Sequence, residues 1–157
     1  MSTIDKVKAY LAQFGMDDRV LEFETSSATV ALAAEAVGCE PCRIAKTLSF
    51  LVHDTPTLIV AAGDARINNQ KFKARFHTKP TMLTPEQAEE LVGHAVGGVC
   101  PFAVNDGVEI YLDESLRRFE TVFPACGSSN SAIELSIPEL ELTAQPNGWV
   151  DVCKDWE

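Results

Sequence analysis

At 157 residues, 46% hydrophobic and 23% charged, the chain has the length and balance of one domain, 1–157, with a continuous core. No stretch approaches the roughly 18 apolar residues of a spanning helix, and MSTIDKVKAYLAQFG lacks the unbroken apolar run of a secretory signal, which argues against membrane association. Five cysteines, an odd number, are incompatible with a complete internal disulfide framework, and a formal charge of -10 argues against a broad nucleic-acid footprint. A cytoplasmic protein in a reducing compartment is the expectation.

The first element is a helix capped by Thr3, with apolar positions Ile4, Val7, Leu11 and Phe14 at helical spacing and Gly15 as its stop. Val20 to Glu24 alternates as a strand. Ser26 or Ser27 then caps an alanine-rich helix from Ala28 to Val37, closed by Gly38. Ala45 to His53 and Leu58 to Ala62 form a hairpin turned by Asp54-Thr55-Pro56, and Asn68 to Arg75 is helical. Thr84-Pro85-Glu86-Gln87 is a capping box with proline at the first helical position, opening a helix through Leu91 that stops at Gly93. Beyond the glycine-rich segment Gly97 to Phe102, a strand spans Gly107 to Leu112 and a short helix Asp113 to Arg118. Strands follow near Thr121 to Phe123 and from Ala132 to Ile137, a helical turn opens at Pro138, and Trp149 to Val152 is a last strand. Helices and short strands mix without strict alternation, which predicts an α+β fold around a mixed, partly antiparallel sheet.

Cys39-Glu40-Pro41-Cys42 presents a C-x-x-C pair. A redox pair sits where a helix begins, because the positive pole lowers the first thiol's pKa. Here Cys39 follows the stop Gly38, at the negative pole, so two packed turn cysteines are the favoured reading. A zinc site needs further ligands, and His53, His77 and His94 form no ligand pattern with the remaining cysteines. Lys46 enters an apolar strand on the side of Leu48 and Phe50, where a lysine either snorkels to the edge or is held as a clamp for phosphate or carbonyl oxygen. The loop Gly97-Gly98-Val99-Cys100-Pro101 is either a tight turn or a nest of backbone N–H groups facing an anion. Arg66 to Pro80 carries five cations and no acid, either as a solvated face or as a local landing strip for a phosphate backbone.

"RIAKTLSF", "LIVAAGDARIN", "GGVCPFAV", "YLDESL" and "CGSSNSAIELSIPEL", in this order over nearly the whole chain, resemble the YbaK/ProX-like aminoacyl-tRNA deacylases, related to the editing domain of bacterial prolyl-tRNA synthetases. The motifs that carry the likeness are the lysine of a K-T-L strand, Lys46, and a G-x-x-x-P loop, Gly97 to Pro101. The resemblance implies a barrel-like mixed sheet surrounded by helices, and hydrolysis of the ester joining a wrong small amino acid, such as alanine or cysteine, to tRNA. It implies no metal and no cofactor. The tRNA 3′ end would be the partner, with an aminoacyl-tRNA synthetase as a further one. Lys46 would hold the terminal nucleotide and the loop would orient the aminoacyl group, with Phe102 at its exit. Phe23, Ala103 and the turn Cys126-Gly127-Ser128-Ser129-Asn130 are candidates for the pocket wall. Where such proteins often have P-F-G-L, this chain has Pro101-Phe102-Ala103-Val104. Two other readings compete: a non-catalytic tRNA- or synthetase-binding module using residues 66–79, and a thiol-redox protein using Cys39 and Cys42.

Overall fold

The first helix buries a narrow stripe: Val7 and Leu11 are fully buried, and the Tyr10 hydroxyl donates to the Thr143 carbonyl near the far end of the chain. The computed structural model describes residues 3–26, 29–95 and 98–156. The helices are α1 (Thr3–Ala12), α2 (Val30–Val37), α3 (Asn69–Phe76), α4 (Pro85–Gln87), which runs on as a π-helical turn (Ala88–Val92), and α5 (Ile137–Ala144). The strands are β1 (Leu21–Glu22), β2 (Ile44–Val52), β3 (Thr55–Ala62), β4 (Arg66–Ile67), β5 (Glu109–Asp113), β6 (Thr121–Pro124), β7 (Ser131–Ala132), β8 (Leu135–Ser136), β9 (Gly148–Val150) and β10 (Cys153–Lys154).

Six strands form a mixed sheet in the order β8-β6-β2-β3-β5-β9, as expected of the α+β class. The β2–β3 pair is antiparallel over its whole length, and β2–β6, β3–β5 and β5–β9 are parallel. Two small antiparallel ladders, β1–β7 and β4–β10, stand outside it. Side chains alternate along a strand and ladder partners share a face, so Lys46, Leu48 and Phe50 lie on the face of Ala61, Ile59 and Thr57. Helix α3 covers that face: Phe72 meets Phe50 at 5.1 Å between ring centroids, and Phe76 meets Tyr111 at 5.3 Å. Helix α2 lies over the edge near β6, where the small side chains of Ala33 and Ala34 pack on Ile44 and Phe123.

On its outer edge β2 is only partly paired. Strand β6 reaches Ile44 and Ala45, and the segment 81–83 takes the other end, with Leu51 N–H donating to the Thr81 carbonyl and Leu83 N–H to the Ser49 carbonyl. Among the described residues no strand pairs with residues 46–48 on that edge. This gap is the fold's main contribution to the site.

Several local expectations shift by a few residues. The hairpin turn is His53-Asp54, both at positive φ (48° and 68°), and Thr55 and Pro56 belong to β3. Pro56 is tolerated because its ladder partner Leu51 sends its N–H outward to Thr81, so no β2–β3 bond needs a proline donor. Helix α2 is capped by Thr29, whose side chain accepts from Leu32 N–H. Ser26 instead donates to the Ser129 carbonyl, and Ser27 lies outside the described residues, as does the Thr3 side chain. The capping box at Thr84 has both bonds, and Gly93 ends the following turn at φ 102°. The strand expected over Val20–Glu24 contracts to β1, and that over Ala132–Ile137 splits into β7 and β8. Helix α5 is two turns with its own capping box, Ser136 and Glu139, rather than one turn from Pro138.

Candidate functional site

The gap beside β2 opens into a cavity of about 450 Å³, walled by β2 residues Ile44 to Ser49, by Thr29, Val30 and Ala33 of α2, by Met82, Leu83 and Pro85, and by Val99, Phe123, Ala125, Ser131 and Ala132. Among the described residues Lys46 supplies the one cation of this mostly apolar wall. Its half-buried ammonium donates to the carbonyls of Ala65 and Gly63, which lie on the turn after β3. Burial pulls its pKa below the ordinary lysine value, against the opposing influence of Cys153 and Asp64, and Arg66 pushes in the same direction as burial. The turn it holds is packed hard: a Cβ on Gly63 would collide with the Pro41 carbonyl oxygen. A partly desolvated ammonium beside an apolar cavity is suited to grip phosphate or carbonyl oxygen. Thr47, on the opposite face of β2, has a buried hydroxyl at the cavity wall with no hydrogen-bond partner among the described residues.

Two segments singled out in the sequence meet in space. A Cβ on Gly98 would lie 2.6 Å from Ser128 N and 2.7 Å from Gly127 C, so the glycine permits backbone-to-backbone packing of the G-x-x-x-P loop on the Cys126–Asn130 turn. Gly98 N–H donates to the Ala95 carbonyl and is committed to the loop's own turn. His94 braces the loop from inside: its Nε2 lies 2.7 Å from the Phe102 carbonyl and 3.6 Å from Cys100 Sγ, while Nδ1 is buried and has no hydrogen-bond partner among the described residues. Burial lowers the His94 pKa, which favours the neutral ring.

Of the residues expected at the site, Lys46 and Val99 line the cavity, and Gly97 lies outside the described residues. Gly98 and Gly127 position the loop. Cys100, Phe102 and Cys126 are fully buried behind the wall, with Pro101 also buried; burial pushes the Cys100 thiol up to about 12 and Cys126 well above the ordinary value. Phe23 and Asn130 are tied to each other, Phe23 N–H to the Asn130 carbonyl and Asn130 Nδ2 to the Phe23 carbonyl, and Ser128 Oγ lies within hydrogen-bond distance of Asn130 Oδ1 and Ser131 Oγ, at 2.9 and 2.7 Å. This knot sits next to the cavity and reaches it through Ser131 and Ala132. Ala103 stands outside the lining, at φ 54°, a left-handed conformation that suits the glycine of P-F-G-L.

Cys39 and Cys42 are free thiols on the turn after Gly38, itself at φ 78°, and burial raises both pKa values. That placement counts against a reactive thiolate. Among the described residues no group of three or more His, Cys, Asp and Glu could hold a metal ion. Sequence reasoning passed over Asp113, a fully buried carboxylate at the end of β5. It accepts from Ser115 N–H and Val152 N–H, each at 3.0 Å, and from the Cys153 thiol, which burial pushes up to about 12. Asp113 thereby fixes β10 beneath Lys46, and the D-E-S cap signal in "YLDESL" was the available clue.

Residues 24–142 match the model of the aminoacyl-tRNA editing domain. The chain is 52% identical to the Bacillus subtilis (strain 168) protein YwhH over 156 residues, 99% of each chain. It is 32% identical over 104 residues to the proline–tRNA ligase of Shouchella clausii, where the match covers 66% of this chain and 18% of the ligase. A solved structure described as a candidate trans-editing enzyme for prolyl tRNA synthetase superposes with a TM-score of 0.88 at 28% identity over 98% of both chains. The match over 119 of 157 residues, together with that superposition, shows the family: the chain belongs to the aminoacyl-tRNA editing domain family.

Proposed function

We propose that the chain is a trans-acting aminoacyl-tRNA deacylase that hydrolyses the ester of tRNA mischarged with a small amino acid such as alanine or cysteine. The observation that carries this reading is the half-buried Lys46 ammonium at the wall of an otherwise apolar cavity of about 450 Å³, in a chain of the editing family. Action in trans is supported by the likeness to the solved structure described as a candidate trans-editing enzyme for prolyl tRNA synthetase.

In this reading Lys46 grips the phosphate of the terminal nucleotide, and the aminoacyl group enters the cavity through the gap beside β2. The loop from Gly97 to Pro101 orients the ester carbonyl or the amine, with Val99 against the substrate and Gly98 seating the loop on Gly127 and Ser128. Water attacks the carbonyl carbon, the bond to the ribose oxygen breaks, and that oxygen leaves as a hydroxyl with a proton from the water. The amino acid leaves as its carboxylate, and the second proton of the water passes to solvent. Preorganised donors are worth about 2.7–4 kcal/mol in oxyanion sites of this kind. Selection works by size: a synthetase pocket gains only about 1–3 kcal/mol per methylene, so a second, smaller chamber removes what the first admits. The small side chains Ala33, Ala45 and Ala132 on the cavity wall fit such a chamber.

The test is a panel of tRNAs charged with alanine, cysteine, serine or their cognate amino acids, assayed for release of free amino acid. Release from a mischarged member above the spontaneous rate, with cognate pairs spared, is the expected result. Binding without turnover across the panel would replace this reading with a non-catalytic tRNA-binding module.

A further inference from the structure

The structure's cations are not distributed like its anions. Six of the 13 basic side chains, Lys8, Arg19, Arg43, Lys71, Arg117 and Arg118, are ion-paired with carboxylates. Lys6 and Lys46 donate to backbone carbonyls. Among the described residues the five left without a carboxylate at ion-pair distance are Arg66, Lys73, Arg75, Lys79 and Lys154, all exposed. Four fall within 66–79, a stretch with no acid, and the fifth is brought to it by the fold. Lys154 of β10 is the direct ladder partner of Arg66 in β4. Like charges opposite each other across a ladder repel, and here no neighbouring acid is enlisted to neutralise them.

The same elements lead from this patch to the cavity. Ala65, whose carbonyl accepts from Lys46, directly precedes β4, and Arg66 is close enough to Lys46 to bear on its charge. Asn68 N–H donates to the Val152 carbonyl, and Lys71 Nζ donates to the Cys153 carbonyl at 3.1 Å, so the β4–β10 ladder abuts the start of α3. Helix α3 then carries Lys73 and Arg75 away from the cavity, and Arg75 is held over the rings of Phe76 and Tyr111 at 5.0 and 5.2 Å. The eight residues of α3 span about 12 Å.

We propose that Arg66 and Lys154, followed by Lys73 and Arg75 on α3 and by Lys79 three residues past its end, form a phosphate-binding track for the RNA that enters the Lys46 cavity by its 3′ end. This rests on the reading of the cavity as a deacylase site and extends it by assigning the surface that holds the body of the tRNA. Elsewhere the chain carries eight cations against 23 acids, so a polyanion is repelled from the rest of the surface and steered here. Five phosphate contacts give a dependence of log K on log salt of about -3.5 to -4.5, or about 10²-fold weaker binding between 50 and 200 mM salt.

The experiment measures binding of uncharged tRNA to the full chain by fluorescence anisotropy across a salt series. Uncharged tRNA has no ester, so the result is independent of whether the cavity hydrolyses one. The triple variant Lys73→Gln, Lys79→Gln, Lys154→Gln removes three contacts, and its slope is expected to fall to about -1.4 to -1.8. A control variant, Lys8→Gln with Arg117→Gln, removes ion-paired cations on other elements and is expected to keep the parent slope. Melting curves verify that both variants are folded. Equal slopes and affinities for the parent and the triple variant would overturn the proposal. So would equally tight, equally salt-sensitive binding of poly-glutamate, which would make the track a protein-docking face. Failure of the deacylase reading shows separately, as no amino acid released from any charged tRNA by the parent chain.

Discussion

Lys46→Met keeps the apolar stem of the side chain and deletes its ammonium, so it separates the charge from the packing. The ammonium makes hydrogen bonds to two carbonyls, Gly63 and Ala65, and charge-assisted bonds are worth about 1.5–3 kcal/mol each. Against that stands the cost of withdrawing a charge from water, several kcal/mol when complete and less at a half-buried site. The two nearly cancel, and the variant is expected to be within about 1 kcal/mol of the parent, a shift in Tm of about 2–4 °C. Nothing offsets the loss on the substrate side. A contact worth about 2.7–4 kcal/mol in the transition state corresponds to a fall of about 10²–10³-fold in kcat/KM. The assay is amino acid release from the mischarged tRNA identified by the panel, with a thermal melt of the same preparation. Loss of less than threefold would show that the charge is not used, and loss of activity together with the fold would make Lys46 structural. The pH dependence has a definite sign. Burial lowers the native pKa, so the unfolded chain binds more protons between that value and the ordinary 10.5, and parent stability rises with pH through this window. Deacylation that needs the ammonium falls over the same window, and the methionine variant shows neither inflection.

Gly98→Ala drives a methyl group into the Gly127–Ser128 backbone and is expected to destabilise by about 1–3 kcal/mol, read as a lower Tm, with deacylation falling more than stability because the loop is pushed off its seat. Glu139→Gln preserves the capping-box geometry at α5 but removes the charge that pairs with Arg19 at 2.8 Å. The Arg19 guanidinium and the Ser136 N–H hold Glu139 at about 2, so its contribution is present above the ordinary 4.5 and lost as pH falls through about 2. Parent and variant urea midpoints should therefore differ near pH 6, by no more than about 1 kcal/mol for so exposed a pair, and converge near pH 2. Thr47→Val replaces a buried hydroxyl that has no partner among the described residues, and is expected to raise stability by about 1 kcal/mol in the same melt while slowing deacylation, because in the proposed reading that hydroxyl bonds the substrate.

What was legible in the sequence was local. The capping box at Thr84, the stop at Gly38 and the helix begun at Asn68 follow from side chains that satisfy backbone groups three or four residues away, and each is found where those side chains place it. The hairpin turn was displaced because Asp54-Thr55-Pro56 looks like a turn by composition. His53 and Asp54 accept positive φ, and Pro56 faces no donor it would need, so the longer ladder prevails. Ser26 lost the α2 cap to Thr29 for a similar reason, since its hydroxyl is engaged by a carbonyl 103 positions away.

The cavity itself was not legible, because it is made by an absence of pairing. Its opening exists only because β6 stops at Ala45 and the 81–83 segment begins at Ser49, a property of two remote segments rather than of β2. Lys46 was visible as a cation in an apolar strand, yet what partly desolvates it and holds it ready is the turn at Gly63 to Ala65, with Cys153 and Asp113 beneath. The C-x-x-C pair, the more conspicuous chemistry in the same stretch, forms the turn that fills the space behind that device. The Pro41 carbonyl, between the two cysteines, packs so tightly on Gly63 that no Cβ fits there. Cys39 and Cys42 thus flank the backbone atom against which the acceptor turn of Lys46 is set.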